Sequence, residues 1–172
     1  MKVKNMALCG VFSALLAICA WLSIPFGDMA ITLQTFGVFL CLGVLGGRRG
    51  SVAILVYLLL GAAGLPIFSG FRGGIGALLG ATGGYLTGFL LCGLVYWLLT
   101  HLFPGHPLPA MLVGLLLCYC FGSFWYYKFY LAAGSGTIVM ILLQNLLFLP
   151  ADLLKLFLAR QLTKRILEEI SP

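Results

Sequence analysis

The chain has 172 residues, 62% of them hydrophobic and only 8% charged, with a mean hydropathy of +1.14. Soluble domains are about 45–50% apolar and about 25% charged, so a soluble enzyme, a nucleic-acid-binding domain and a disordered tail are all excluded. The net charge of +6 makes no nucleic-acid stripe, because the ten Lys and Arg are scattered between apolar runs. The composition is that of an integral membrane protein, with the lipid bilayer as its solvent and no nucleic-acid partner.

Crossing about 30 Å of hydrocarbon at about 1.5 Å per residue takes roughly 20 apolar residues. The length has room for six such spans with short connections, and for no water-soluble domain at either end. A β-barrel would read as alternating polar and apolar positions, and the runs over 52–63 and 111–121 do not alternate. The expected fold class is therefore all-α: one transmembrane domain over residues 1–172, built as a six-transmembrane-helix bundle.

The first span is expected over residues 5–24, after Lys2 and Lys4; it is too long for a signal-peptide core and is read as a retained helix. Pro25 is expected to end it, leaving 25–32 as a short loop that holds Asp28. The second span covers 32–45, a tight basic turn follows at Gly46–Gly50, and the third span covers 51–63. From Gly64 to Thr82, Pro66 and the clustered Gly70, Gly73 and Gly74 oppose a helix. Irregular backbone at membrane depth survives only when protein buries it or when it lines a cavity. The fourth span is expected over 80–102, a loop over 103–109, and the fifth span over 110–127. A loop with Lys128 and Gly134-Ser-Gly136 leads to the sixth span, 138–166, whose helical pattern runs past Pro150 to about Glu169.

Counting Lys and Arg sets the orientation. With both termini on one side, that side holds Lys2, Lys4, Arg48, Arg49, Arg160, Lys164 and Arg165 against Arg72 and Lys128 on the other. Both termini are expected in the cytoplasm, with the Gly-rich segment outside. The six cysteines all fall inside apolar runs and read as small buried hydrophobes; Cys118 and Cys120 lack the spacing of a zinc pair. No metal site follows from them.

The strongest chemical signal is Asp152 with Lys155. A charge near the bilayer centre costs roughly 2.5–3.5 kcal/mol on insertion scales, and a spacing of three puts both groups on one helix face, where they neutralise each other. Pro150 frees a backbone carbonyl one turn earlier. The pair reads as a polar clamp, Asp152 accepting and Lys155 donating; the plainer alternative is Lys155 snorkelling to the inner interface. A glycine series at 76, 80, 84 and 88 would form a bare ridge if that stretch were helical, with packing the default role for Gly84 and Gly88. Thr32, Gln34, Tyr85, Gln144 and Asn145 are isolated polar residues in apolar surroundings. Phe124–Tyr127 suits an interfacial belt, with Trp125 also able to wall a pocket. His101 and His106 sit in a loop and carry no assigned chemistry. The chain has no Gly-Lys-Ser/Thr phosphate loop, no zinc-protease helix and no serine elbow, so no catalytic residue is assigned and no enzyme is expected.

Four stretches together, Ile31–Gly37, Gly61–Phe68, Gly80–Tyr85 and Phe148–Lys155, resemble the BioY biotin transporter family in order and spacing. The resemblance covers nearly the whole chain. It implies the six-helix fold of a substrate-binding (S) component of an energy-coupling factor transporter, with biotin as cargo and no resident cofactor. It implies as partners a transmembrane coupling protein and two ATPase subunits. The family's biotin contacts carry over onto Asp152, Lys155 and Arg72, with Gln34 and Tyr85 as further pocket positions and Gly73 and Gly74 in the covering loop. Arg72 stands where the family often has Asn, and Ala151 where Gly is common. The small residues of helix one, Gly10, Ala14 and Ala17, resemble the surface that S components present to the coupling protein. The alternative from the residues alone is a standalone proton-coupled carrier using Asp152, or a purely structural membrane subunit.

Overall fold

The computed structural model describes residues 3–26, 29–132 and 138–170; Lys2, Asp28 and the expected loop at 134–136 lie outside them. Helix α1 spans Val3–Trp21. It is followed not by a plain loop but by two short strands, β1 (Ser23–Phe26) and β2 (Met29–Thr32), antiparallel with Ser23 opposite Thr32 and Phe26 opposite Met29. Helix one therefore ends at Trp21, before the expected Pro25, which sits within β1.

Helix α2 spans Gln34–Ala62 and is broken at Gly46, whose φ of 75° and ψ of 166° only glycine takes up freely. The break reverses the chain. In a straight helix residues 42 and 50 would stand about 12 Å apart, yet a Cβ on Gly50 would lie 3.0 Å from the Leu42 Cα. The two limbs correspond to the helices expected over 32–45 and 51–63. The expected five-residue turn is in fact a one-residue hinge, with Gly47–Gly50 already helical.

The stretch from Gly64 is irregular, as expected, but it contains a 3₁₀ turn at Ser69–Phe71 and a short helix, α3 (Ile75–Leu79). Helix α4 (Gly83–Leu102) starts three residues later than expected, and α5 (Pro107–Ala132) begins inside the expected 103–109 loop. Helix α6 (Ile138–Ile170) runs through Pro150. Among the described residues five helices are long and apolar enough to cross a membrane, with the two limbs of α2 counted as one.

Helix α2 occupies the centre. Ser13 of α1 donates to the Ala53 carbonyl at 2.8 Å, the backbone of Trp97 on α4 lies where a Gly47 side chain would be, and Thr163 of α6 fills the space beside Gly43. Tyr57, Phe39, Leu42 and Ile54, all on α2, are among the most completely buried side chains. On α6, by contrast, Leu142, Leu143, Leu146, Leu147, Leu154 and Phe157 are all exposed. So wide an apolar surface marks a face that meets lipid or another protein.

The start of α1 and the end of α6 both reach the Gly46 end of the bundle, where Arg49 Nη1 donates to Asn5 Oδ1 at 3.2 Å and Thr163 meets Gly43. Lys4, Arg48, Arg49, Arg160, Lys164 and Arg165 thus converge on one end. The strands, the 64–74 loop and α3 make up the other. The glycine ridge is not continuous: Gly76 faces open space, Gly80 is extended, and only Gly84 and Gly88 pack, against Trp125 and Cys118. Five cysteines are buried and Cys120 is exposed, with all six thiols free.

These contacts separate glycines that matter from those that do not. Gly47→Ala is expected to destabilise the bundle by about 1–3 kcal/mol, the usual range for overpacking, since its new methyl meets backbone. Gly76→Ala is expected to leave the midpoint unchanged or slightly higher. Thermal unfolding in detergent checks both.

Candidate functional site

A cavity opens at the end of the bundle opposite Gly46. It is lined by Ala30, Ile31 and Thr32 of β2, Gln34 and Thr35 of α2, Phe68, Ser69 and Arg72 of the loop, and side chains of α3–α6. Counted out to its mouth, with the open space there included, it measures about 890 Å³. Leu86, Phe89, Leu115, Cys118 and Phe148 give it apolar walls.

One wall is charged. Lys155 Nζ donates to Asp152 Oδ1 at 2.7 Å, and both side chains are only 13% exposed. Tyr119 of α5 donates its hydroxyl to Asp152 Oδ2, also at 2.7 Å. The pair faces protein and cavity, which excludes simple snorkelling by Lys155. An ionised carboxylate has about four acceptor positions and an ammonium has three donors. After these bonds Asp152 retains about two acceptor positions and Lys155 two donors, the complement of a ligand that carries both N–H and C=O groups.

The opposite wall is held by a polar chain. Thr32 Oγ1 donates to Gln34 Oε1 at 3.1 Å, Gln34 Nε2 to the Tyr57 hydroxyl at 2.8 Å, and that hydroxyl to the Ile67 carbonyl at 3.1 Å. The strands, α2 and the loop are thereby tied in sequence. Tyr57 also meets the edge of Phe68, with centroids 5.5 Å apart, and the Phe68 ring occupies the space a Gly61 side chain would need.

Tyr85 borders the cavity and donates to Asn145 Oδ1 at 2.8 Å; Asn145 Nδ2 donates to Ser123 Oγ, joining α4, α6 and α5. Asn145 thus serves helix packing and holds a pocket residue in place. Trp125 does not line the cavity; its Nε1 donates to the Gly80 carbonyl at 3.0 Å and braces the junction of α3 and α4.

The loop closes on itself. Phe68 N donates to the Arg72 carbonyl at 2.9 Å, Gly74 N to the Gly61 carbonyl at 2.7 Å, and Arg72 Nε to the Ser69 carbonyl at 3.0 Å. Gly73 and Gly74 are not among the lining residues: Gly73 lets the chain pass against Leu65, and Gly74 adopts a φ of 86°. They shape the loop and do not touch the cavity. A latch joins this loop to α1. Trp21 Nε1 donates to the Pro66 carbonyl at 2.9 Å, and its ring stacks on Phe71 at 5.3 Å. Phe71 has a φ of 56°, and a left-handed non-glycine residue costs about 1–3 kcal/mol, so neighbouring contacts must hold it.

The site thus gathers Asp152, Lys155, Arg72, Gln34 and Tyr85 around one cavity and leaves out Gly73 and Gly74. Sequence reasoning missed Tyr119 and Tyr57. The available signal was a phenol within an apolar run, whose hydroxyl must find an acceptor in hydrocarbon. On α1, Gly10 and Ala14 are exposed four residues apart. Ala17 is 6% exposed and Ser13 3%, so Ala17 belongs to the core and not to the outer stripe, a correction to the expected face. His101 follows Trp97 by one turn, at the far end from the cavity.

A multi-pass helical membrane protein with a roofed, mostly apolar cavity and one ion-paired wall is the class this geometry defines. The chain belongs to the BioY family, whose model matches residues 1–171. It is 43% identical over 124 residues to the biotin transporter BioY of Thermotoga maritima, covering 71% of this chain and 73% of that one. It is 31% identical over 182 residues to the biotin transporter BioY of Rhizobium etli, covering 97% and 95%. Its fold matches the 2.1 Å crystal structure of the S-component for biotin from an ECF-type ABC transporter, with a TM-score of 0.83 and 26% identity over 97% of this chain and 92% of that one. The S component of a bacterial ECF transporter shares the fold at a TM-score of 0.63 and 12% identity, each chain covered in full.

Trp21→Ala is expected to free the loop without melting the bundle. Amide exchange at Phe68 and Gly74 should speed up while that of the α2 core stays slow. Unchanged exchange at those two amides would show that the latch does not restrain the loop.

Proposed function

We propose that this protein is the biotin-binding S component of an energy-coupling factor transporter and mediates biotin uptake across the cell membrane. The observation that carries the proposal is the pairing of Asp152 and Lys155 on the wall of an otherwise apolar cavity. The biotin head is a ureido group, with two N–H donors and one carbonyl acceptor. Asp152 receives one N–H group, and Lys155 donates to the carbonyl beside it. The apolar walls take the fused rings, and Arg72, which carries unspent N–H donors, pairs with the carboxylate of the side chain. Gln34 and Tyr85 complete the pocket, while Gly73 and Gly74 act through the shape of the loop.

The 23–32 strands and the 64–74 loop close over biotin from outside, and both termini lie in the cytoplasm, in keeping with the basic residues at the Gly46 end. Uptake needs an energy source that this chain's motifs do not provide. A transmembrane coupling protein and two ATPase subunits supply it, docking on the exposed Gly10–Ala14 face of α1, where small residues permit close helix approach.

Asp152→Asn is expected to weaken biotin binding at least about 100-fold, because it leaves Lys155 facing a neutral partner in a desolvated site, while membrane insertion stays normal. Unchanged affinity would overturn the clamp. Gly10→Leu with Ala14→Leu should abolish ATP-dependent uptake and leave biotin binding intact. Uptake that persists without any ATPase and collapses with the proton gradient would instead establish a standalone carrier.

A further inference from the structure

We infer that Tyr119 is a positioning residue that fixes the plane of the Asp152 carboxylate and thereby aims a free acceptor position at a ligand N–H standing beside the carbonyl that Lys155 takes; this rests on the biotin-binding reading above. Asp152 and Lys155 belong to the same helix, α6, so their bond cannot by itself align the carboxylate with the rest of the cavity. The Tyr119 hydroxyl can, because it comes from α5 and takes the other oxygen: Lys155 holds Oδ1 and Tyr119 holds Oδ2, each at 2.7 Å. Rotating the carboxylate by about a quarter turn would break both bonds, since each needs near-linear geometry.

Tyr119 is itself held. Its ring stands edge-on to Tyr85, with centroids 6.4 Å apart and planes at 82°, and its backbone carbonyl accepts from Ser123 Oγ at 2.6 Å. Ser123 in turn accepts from Asn145 on α6, one of the residues that hold Tyr85. The same small network therefore sets the hydroxyl, the carboxylate and a neighbouring wall of the cavity. The two acceptor positions left on Asp152 are fixed before a ligand arrives, and preorganisation of this kind raises affinity by removing an ordering step. A freely turning carboxylate would meet that N–H in only a fraction of its orientations.

The test uses Tyr119→Phe, which removes the hydroxyl alone and keeps the ring on Tyr85. Three ligands are compared on the purified full-length protein: biotin, and biotin methylated at one or at the other ureido nitrogen. Because Asp28 and Asp152 are the only aspartates in the chain, ¹³C-carboxylate aspartate in an Asp28→Asn background gives an infrared band from Asp152 alone. Tyr119→Phe is expected to shift that band without ligand, to weaken biotin about tenfold, and to weaken one of the two methylated ligands, the one that has lost the N–H facing Asp152, less. An unmoved band, or equal losses for all three ligands, would overturn the assignment. If the wild-type protein bound no biotin, the functional proposal would fail while the band shift still decided whether Tyr119 sets Asp152.

Discussion

Two opposite charges on a helix exposed to lipid set the terms for everything at the ligand end of this protein. Asp152 and Lys155 are stable on an apolar helix because they neutralise each other and face protein and cavity. Shielding fixes the rotation of α6. The face bearing the pair must turn to α5 and the cavity, which leaves Leu146, Leu154 and Phe157 to the lipid. Tyr119 then supplies a bond that ties the charged pair to α5, and all three side chains line the cavity.

The remaining architecture follows from a central hairpin. Gly46 reverses α2, so that both limbs pack within the bundle and the ends of α1 and α6 meet at the hinge. The short limbs place Gln34 and Gly61 at the cavity end. There β2 and the 64–74 loop form a cover whose parts are joined through Gln34, Tyr57 and Ile67. Trp21 brings the end of α1 to the same cover. The helix with the exposed small-residue face is therefore in direct contact with the segment that roofs the cavity.

The long apolar helices and the charged pair were legible in the sequence because both are strong signals in lipid: long apolar runs and an unavoidable desolvation penalty. The strands at 23–26 and 29–32 were not, since four residues show too little alternation and Pro25 and Gly27 read as a turn. The Gly46 hinge was placed only to within five residues, because Gly46, Gly47 and Gly50 look alike although the first supplies a backbone conformation and the others close contacts. Tyr119 was passed over as one more aromatic in α5; its role depends on which face of α5 meets α6, and a helix that is apolar all round does not encode that. The same ambiguity put Ala17 on the outer face of α1, when Ser13 and Ala17 in fact turn inward.

Binding of labelled biotin to the purified protein in detergent, competed by unlabelled biotin and by thiamine, tests the central claim directly. The account predicts tight, saturable binding that biotin displaces and thiamine does not. Absence of binding by folded protein, or displacement by both vitamins alike, would contradict it.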